Sequence, residues 1–295
     1  MQVGVSVPNF SRLGTREAVV EIAQQAEALG YDSIWTTDHV MVQKGQEIPY
    51  GHILEALTTL SYLAALTQRV RLGTSVIVFP QRNPVLVAKE AATLDQLSGG
   101  RLILGLGAGW NEREFASLGV DFHDRGRRLD EYIGVLRELW TASEPRFEGR
   151  YVAFSDILFS PRPMQPNGPP IWLGGGSPAA LRRAARLCDA WHPVGIGVAR
   201  FADGMRRIAE LANGRQVVGS LRINTAIGRT LPEVWTASGQ VQETLSGSVD
   251  EVVARIKEYQ AAGLSYLVTQ FGTSDLETYL SDMRRFAAEV RPALL

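Results

Sequence analysis

Cysteine occurs once in this chain, at Cys188, so no intrachain disulfide can form, which suits a reducing cytoplasm. Cys188 falls in a helical run and reads as a buried structural thiol. Lysine is nearly missing too: Lys44, Lys89 and Lys257 are the only ones in 295 residues, and arginine carries the rest of the positive charge. That bias reflects either nucleotide composition or a taste for anions, since a guanidinium offers a rigid fork to phosphate and carboxylate. With a formal net charge of −1 there is no concentrated positive field to hold DNA, RNA or an anionic membrane. The first residues lack a basic segment and a long apolar stretch, so neither a leader peptide nor a membrane span is expected. His39, His52, His123 and His192 fall in no zinc-type spacing, so no metal site is expected. A Gly-x-Ser-x-Gly elbow is missing as well.

What the chain does have is alternation. Short β-branched runs are expected at 3–8, 32–37, 70–78, 102–106, 171–173, 190–194, 217–227 and 266–271. Helical spacing separates them, at 15–29, 52–66, 85–97, 127–140, 178–187, 199–212, 249–262 and 276–291. The breaks carry ordinary signals, such as Gly30 and Gly99-Gly100 after helices and Pro84 at a helix start. Residues 145–170 are proline-rich and aperiodic and read as a long loop, with a hairpin at 150–154. Eight such strand–helix units predict a (β/α)8 TIM barrel, as one domain over 1–295 with that long insertion before strand five. An open doubly wound sheet is disfavoured: its first strand–helix turn carries a glycine fingerprint, and here that turn reads Pro8-Asn9-Phe10-Ser11-Arg12-Leu13-Gly14. Residues 230–247 have no assigned role.

In such a barrel the chemistry sits at the C-terminal ends of the strands. Strand two ends on Asp38-His39, a pair that either orients an imidazole for proton transfer or caps a loop beside a surface histidine; the two residues alone leave both readings open. Strand five ends on Gly174-Gly175-Gly176-Ser177. A plain turn needs one glycine, so three before a helix favour a phosphate seat on backbone N–H groups and the helix pole, with Arg182 and Arg183 one turn on. Strand four ends on Gly107-Ala108-Gly109-Trp110-Asn111-Glu112. It lacks the spacing of a dinucleotide fingerprint, and its small residues suit a flat ring lying close to the backbone, with Trp110 over that ring.

Taken together, Thr36-Thr37-Asp38-His39, Leu72-Gly73-Thr74-Ser75-Val76, Gly105 through Glu114, Arg125 through Glu131, Pro170 through Gly175 and Val268 through Phe271 resemble the luciferase-like monooxygenase superfamily. The likeness is strongest to its branch that uses coenzyme F420, a deazaflavin. This resemblance implies a cis peptide at Ser75-Val76 backing the ring, Asp38 and His39 facing cofactor and substrate, Gly107-Ala108-Gly109 lining the ring, and Gly174-Gly175-Gly176-Ser177 at the phosphate. It implies an F420-dependent oxidoreductase with a small organic substrate, with His39 handling the proton and Phe10, Trp110 and the 145–170 loop walling the pocket. The alternatives are a two-component monooxygenase using FMN and a partner flavin or F420 reductase, and a non-catalytic flavin-binding barrel. A homodimer is implied as in relatives. In the related glucose-6-phosphate dehydrogenases a glutamate acid follows the glycine run, and Trp110 holds that position here; with three lysines for a sugar phosphate, a different substrate is implied. Glu112 is the candidate to supply a carboxylate in its place.

Overall fold

A computed structural model describes residues 1–45, 47–235 and 241–294. Eight parallel strands close on themselves: β1 (Gln2–Ser6), β2 (Ser33–Thr36), β3 (Arg71–Thr74), β4 (Leu102–Gly107), β5 (Ile171–Leu173), β6 (Ala190–Trp191), β7 (Val218–Ile227) and β8 (Tyr266–Phe271). The register runs Gly4 opposite Ser33, Ser33 opposite Arg71, Leu72 opposite Leu102, Leu104 opposite Ile171, Trp172 opposite Ala190, Ala190 opposite Val218 and Ser220 opposite Tyr266. Tyr266 then pairs with Gln2 and seals the cylinder. This is the (β/α)8 barrel expected from the alternation, and the runs are buried on both faces because helices cover the outside.

The helices are α1 (Arg16–Ala28), α2 (Ala56–Ala64), α3 (Pro84–Ser98), α4 (Glu112–Ser117), α5 (Arg125–Thr141), α6 (Pro178–Leu187), α7 (Val198–Leu211), α8 (Val249–Ala261) and α9 (Leu276–Arg285). Their ends follow local chemistry. Thr15, Asn83 and Ser177 cap N-termini with their side-chain oxygens, and Ser248 with Glu251 forms a reciprocal capping box. After α3 the chain turns through Gly99 at φ +72°, a conformation that a Cβ would strain. In α1, Val19, Ile22, Ala23 and Ala26 make the buried stripe that periodicity predicted.

Indoles plug the lower barrel. Trp35 and Trp172 meet at 4.9 Å, Tyr266 packs edge-on to both, and Ile103, Ala190 and Val268 fill the remainder. Glycine makes room for Trp35: a Cβ on Gly73 would sit 2.2 Å from its ring.

Four expectations change. The single strand expected over 70–78 is broken: β3 stops at Thr74, and Ile77–Val78 resumes as a separate piece beside Leu106 and Gly107. The helix expected over 52–66 forms only as α2. The last helix stops at Arg285 and continues as a wider turn over Phe286–Val290. The hairpin expected at 150–154 starts earlier, pairing Phe147–Glu148 with Ala153–Phe154. Within 230–247, Thr244–Gly247 adds a parallel strand beside Asn224–Ile227, and Val234–Trp235 pairs with Val241–Gln242. Residues 236–240 of that segment lie outside the described residues.

Candidate active site at the barrel mouth

β3 ends at Thr74, and the Ser75-Val76 peptide that follows is cis. The Val76 side chain lies against β4 and β5, and three glycines face it or its neighbour. A Cβ on Gly107 would lie 2.6 Å from Val76 Cγ2, one on Gly174 3.1 Å from Val76 Cγ1, and one on Gly105 1.8 Å from the Thr74 carbonyl. Close packing of protein on protein gives a reason for glycine at Gly107, where the sequence pointed to a flat ring, and at Gly174, where it pointed to a phosphate. Gly109 is at φ +82°, wedged between Val78 and Phe115, and half-buried Ala108 lies between them at the mouth.

Below this bulge lies a buried polar chain. Ser75 Oγ and His192 Nε2 are 2.9 Å apart, and His192 Nδ1 and Ser220 Oγ are 2.8 Å apart. Burial, with the Arg222 cation beside it, pushes the His192 pKa down to about 3, so its imidazole is neutral. It stacks on Trp35 at 5.0 Å, joining the mouth to the aromatic plug. Arg222, on β7, donates from Nη1 to Thr37 Oγ1 at 3.0 Å and to the Ser75 carbonyl at 2.8 Å, and from Nη2 to Gln270 Oε1.

Asp38 and His39 are both buried, but they do different work. Asp38 accepts from the Val78 N–H at 2.9 Å and from Arg82 Nη2 at 2.6 Å. It anchors the strand that follows the bulge and does not touch the imidazole. Burial pulls the Arg82 pKa down, but Asp38 and Glu55 together hold it above its ordinary value. The carboxylate on His39 belongs to Glu114, a residue that sequence reasoning missed: Oε2 lies 3.1 Å from His39 Nδ1, while Oε1 accepts from the N–H of Val40 at 2.6 Å and of Met41 at 3.2 Å. Burial pushes the Glu114 carboxyl up, but the hydrogen bonds from His39, Val40 and Met41 outweigh it and hold the group below its ordinary value. An ionised Glu114 favours the His39 tautomer with its hydrogen on Nδ1, in which the lone pair is on Nε2.

Aromatic rings surround that nitrogen. Tyr50 lies 4.5 Å from the His39 ring, Trp110 meets it edge-on at 5.5 Å, and Phe10 meets Tyr50 edge-on at 5.1 Å. Trp110 is about half exposed, at 49%, so it has surface to offer a ligand. Glu112 does not join them. Its side chain is 65% exposed and sits 3.8 Å from His123 Nε2, on the outer surface of α4. Two residues, a little over half a helical turn, separate it from the buried Glu114, so the two side chains leave opposite faces and the register of α4 decides which carboxylate reaches His39.

The triple-glycine corner lies between β5 and α6. Gly175 is at φ +95°, which only glycine adopts cheaply, and its carbonyl accepts from Trp191 Nε1 at 2.7 Å. Ser177 caps α6 by accepting from the Ala180 N–H. Arg183 is not aimed at this corner: it is tied to Asp130 on α5, and Arg182 is exposed. The cation at the corner is Arg200 of α7, with Nη2 3.5 Å from where a Gly176 Cβ would stand. A left-handed glycine, a helix N-terminus and a guanidinium together form a seat that fits a phosphate.

Within the 145–170 segment, Gln165 reaches Asp95 and the carbonyl of Leu102, the first residue of β4, and Gln96 reaches the Arg162 carbonyl, so residues 162–165 pack low on α3, away from the mouth. Lys44 and Lys257 are exposed, and Lys89 reaches the Ser160 carbonyl on the outer face of α3. Cys188 is buried, with its thiol pushed up to about 12 by burial. Among the described residues no helix is long and apolar enough to cross a membrane.

The luciferase-like monooxygenase family model matches residues 1–238. The chain belongs to that family. An F420-dependent glucose-6-phosphate dehydrogenase of Amycolatopsis mediterranei (strain U-32) is 31% identical over 327 aligned positions, covering 96% of each chain. An F420-dependent secondary alcohol dehydrogenase, solved with an F420-acetone adduct, superposes with a TM-score of 0.83 at 18% identity over 100% of this chain and 99% of that one. The oxygenating constituent of a 3,6-diketocamphane monooxygenase from Pseudomonas putida, solved with FMN, gives a TM-score of 0.79 at 16% identity, covering 100% and 99%. At those identities the two structures speak for the barrel alone.

Proposed function

We propose that this family member is a coenzyme F420-dependent oxidoreductase acting on a small, uncharged organic substrate such as a secondary alcohol or its ketone. The observation that carries this reading is the His39–Glu114 pair beside the Ser75-Val76 bulge: an imidazole with one nitrogen fixed by a carboxylate and no hydrogen-bond partner on the other among the described residues. The F420-dependent relative matched along the whole chain supports the choice of cofactor.

The bulge and Trp110 hold the flat ring, and the corner at Gly174, Gly175, Gly176 and Ser177, with Arg200, holds its phosphate. Bound deazaflavin supplies a two-electron acceptor for a hydride. His39 takes the substrate hydroxyl proton on Nε2 in oxidation and returns it in reduction. The Glu114 carboxylate stabilises the imidazolium that forms. Phe10, Tyr50 and Trp110 wall the substrate with apolar surface, which suits a molecule without phosphate. Trp110 stands where the resemblance puts the acid of a sugar-phosphate enzyme, Lys89 lies on the outer face of α3 and Lys257 is exposed on α8, which leaves Lys44, exposed on the loop after β2, as the one lysine on the mouth side.

The test is a thermal-shift and fluorescence panel of F420, FMN, FAD and NADPH, followed by anaerobic turnover of a secondary-alcohol series with the cofactor that binds. F420 at about one hundred times its dissociation constant stabilises the fold by about 2.7 kcal/mol. Binding of FMN alone, with oxygen consumed on adding its reduced form, would assign the monooxygenase chemistry. Binding without turnover of any substrate would leave a cofactor carrier.

A further inference from the structure

Arg222 is a buried cation at the mouth with no acid to meet it. The residue is 7% exposed, yet it makes no ion pair among the described residues, and it donates to the oxygens of Thr37, Ser75 and Gln270. The Tyr50 hydroxyl is a further hydrogen-bond partner, the buried Tyr279 phenol is neutral, and His192 is a neutral imidazole, so no carboxylate faces the guanidinium among the described residues. Burial pulls the Arg222 pKa down, as expected for a desolvated charge. Three half-buried arginines show what compensation looks like in this fold. Arg82 lies on Asp38 and Glu55, and Arg229 lies on Asp282. Arg101 spends its donors on carbonyls at the C-terminal ends of α2 and α3, where the helix poles are negative. A buried charge left without such compensation is costly, and a fold that keeps one at its site has a use for an anion there.

Arg222 Nη1 is bonded to the carbonyl of Ser75, the first half of the cis peptide. Resting on the function proposed above, we infer that Arg222 is the counter-charge for the two-electron-reduced cofactor ring, so that the site binds the reduced anion more tightly than the oxidised ring. The charge balance favours such a group. A hydride leaving the substrate carbon with its two electrons would add to the bound ring, while the substrate hydroxyl proton goes to His39. Whatever charge the oxidised ring carries, it would then gain one negative charge, shared with its N1–C2–O2 edge, with no proton to cancel it. Cations placed near that edge are a protein's means of tuning such a ring.

The experiment measures dissociation constants for oxidised F420 and for F420 reduced with borohydride, under anaerobic conditions, with wild type, Arg222→Met and Arg222→Lys. Wild type is expected to prefer the reduced form. Arg222→Met should shrink that preference roughly ten- to thousand-fold, the effect of one opposite charge on a neighbouring ionisation, and Arg222→Lys should keep most of it. A lost structural bond at Ser75 weakens both forms alike and leaves the ratio unmoved, so an unchanged ratio overturns the inference. So does Arg222→Met weakening only an anionic substrate. If the Met variant does not fold, the wild type decides: its bound ring must have a more positive reduction potential than free F420 and must lose its N1 proton at lower pH. Equal values in the two settings overturn the inference with the proposed function intact; failure of wild type to bind either form overturns both.

Discussion

Replacing Glu114 with glutamine should leave the fold standing and stop the chemistry. Glu114 Oε1 accepts two backbone N–H groups, from Val40 and Met41, and Oε2 faces His39 Nδ1. A glutamine has one orientation that avoids donors facing donors, with its oxygen toward the backbone. Its NH2 then points at His39 Nδ1, which must accept. The imidazole hydrogen moves to Nε2, and the nitrogen facing the substrate can no longer take a proton. Loss of a general base costs about 100- to 10,000-fold in kcat, while cofactor affinity should hold. The stability cost should be about 1.5–3 kcal/mol, that of one hydrogen bond to a charged group. Glu114→Ala removes both acceptor oxygens, and with them three hydrogen bonds, from a buried site and should cost about 3–5 kcal/mol. Because the folded carboxyl titrates below its ordinary value of 4.5, the charge stabilises the protein above that pH, and the benefit disappears as pH falls through the folded value. The stability gap between wild type and Glu114→Gln should therefore close in acid. Urea melts at neutral and acidic pH, kcat, and nitrogen NMR of the His39 ring report the three effects. A Gln variant with near-wild-type kcat, or one that keeps its ring hydrogen on Nδ1, would falsify the assignment of Nε2 as the base.

Three further outcomes follow from the geometry. Gly107→Ala sets a methyl 2.6 Å from Val76 Cγ2 and should destabilise by about 1–3 kcal/mol; adding Val76→Ala should recover part of that loss, and an additive double-mutant cycle in denaturant would rule out the contact. Glu112→Gln, on an exposed side chain, should leave kcat and KM near wild type, and a large fall in steady-state turnover would return Glu112 to the mechanism. Cys188, buried and with its thiol pushed up to about 12, should react with a thiol reagent only as fast as the protein opens; rapid labelling of the native protein would contradict its placement.

Much of the barrel could be read along the chain, because the features that encode it are local. β-branched runs between amphipathic helices give parallel strands covered on both faces. Asn83-Pro84 and Ser177-Pro178 mark helix starts, and Gly99 marks a stop. The breaks in that reading are equally physical. The apolar run 70–78 is continuous in composition, and nothing local announces that its backbone folds at Ser75-Val76; the expectation came from resemblance. The prolines at 161, 163, 166 and 169 mark an irregular segment but not its path, which depends on anchors such as Asp95. The exposed Glu112 and the buried Glu114 stand two residues apart in one acidic stretch, and helical phase was the only signal that could have separated them.

Sequence by itself determined the strand–helix alternation, the small residues at strand ends, the isolated thiol and the shortage of lysine. Each is a property of neighbouring residues or of composition. Closure of the cylinder decided the rest. It brought Glu114 to His39 across 75 residues, Arg222 to Thr37 across 185 and Ser75 to His192 across 117. It also separated Asp38 from its chain neighbour His39, because successive residues beyond a strand end face different partners. Charge and hydrogen bonding act over a few ångströms of space regardless of distance along the chain, so the partners of the mouth residues exist only once the eighth strand has met the first.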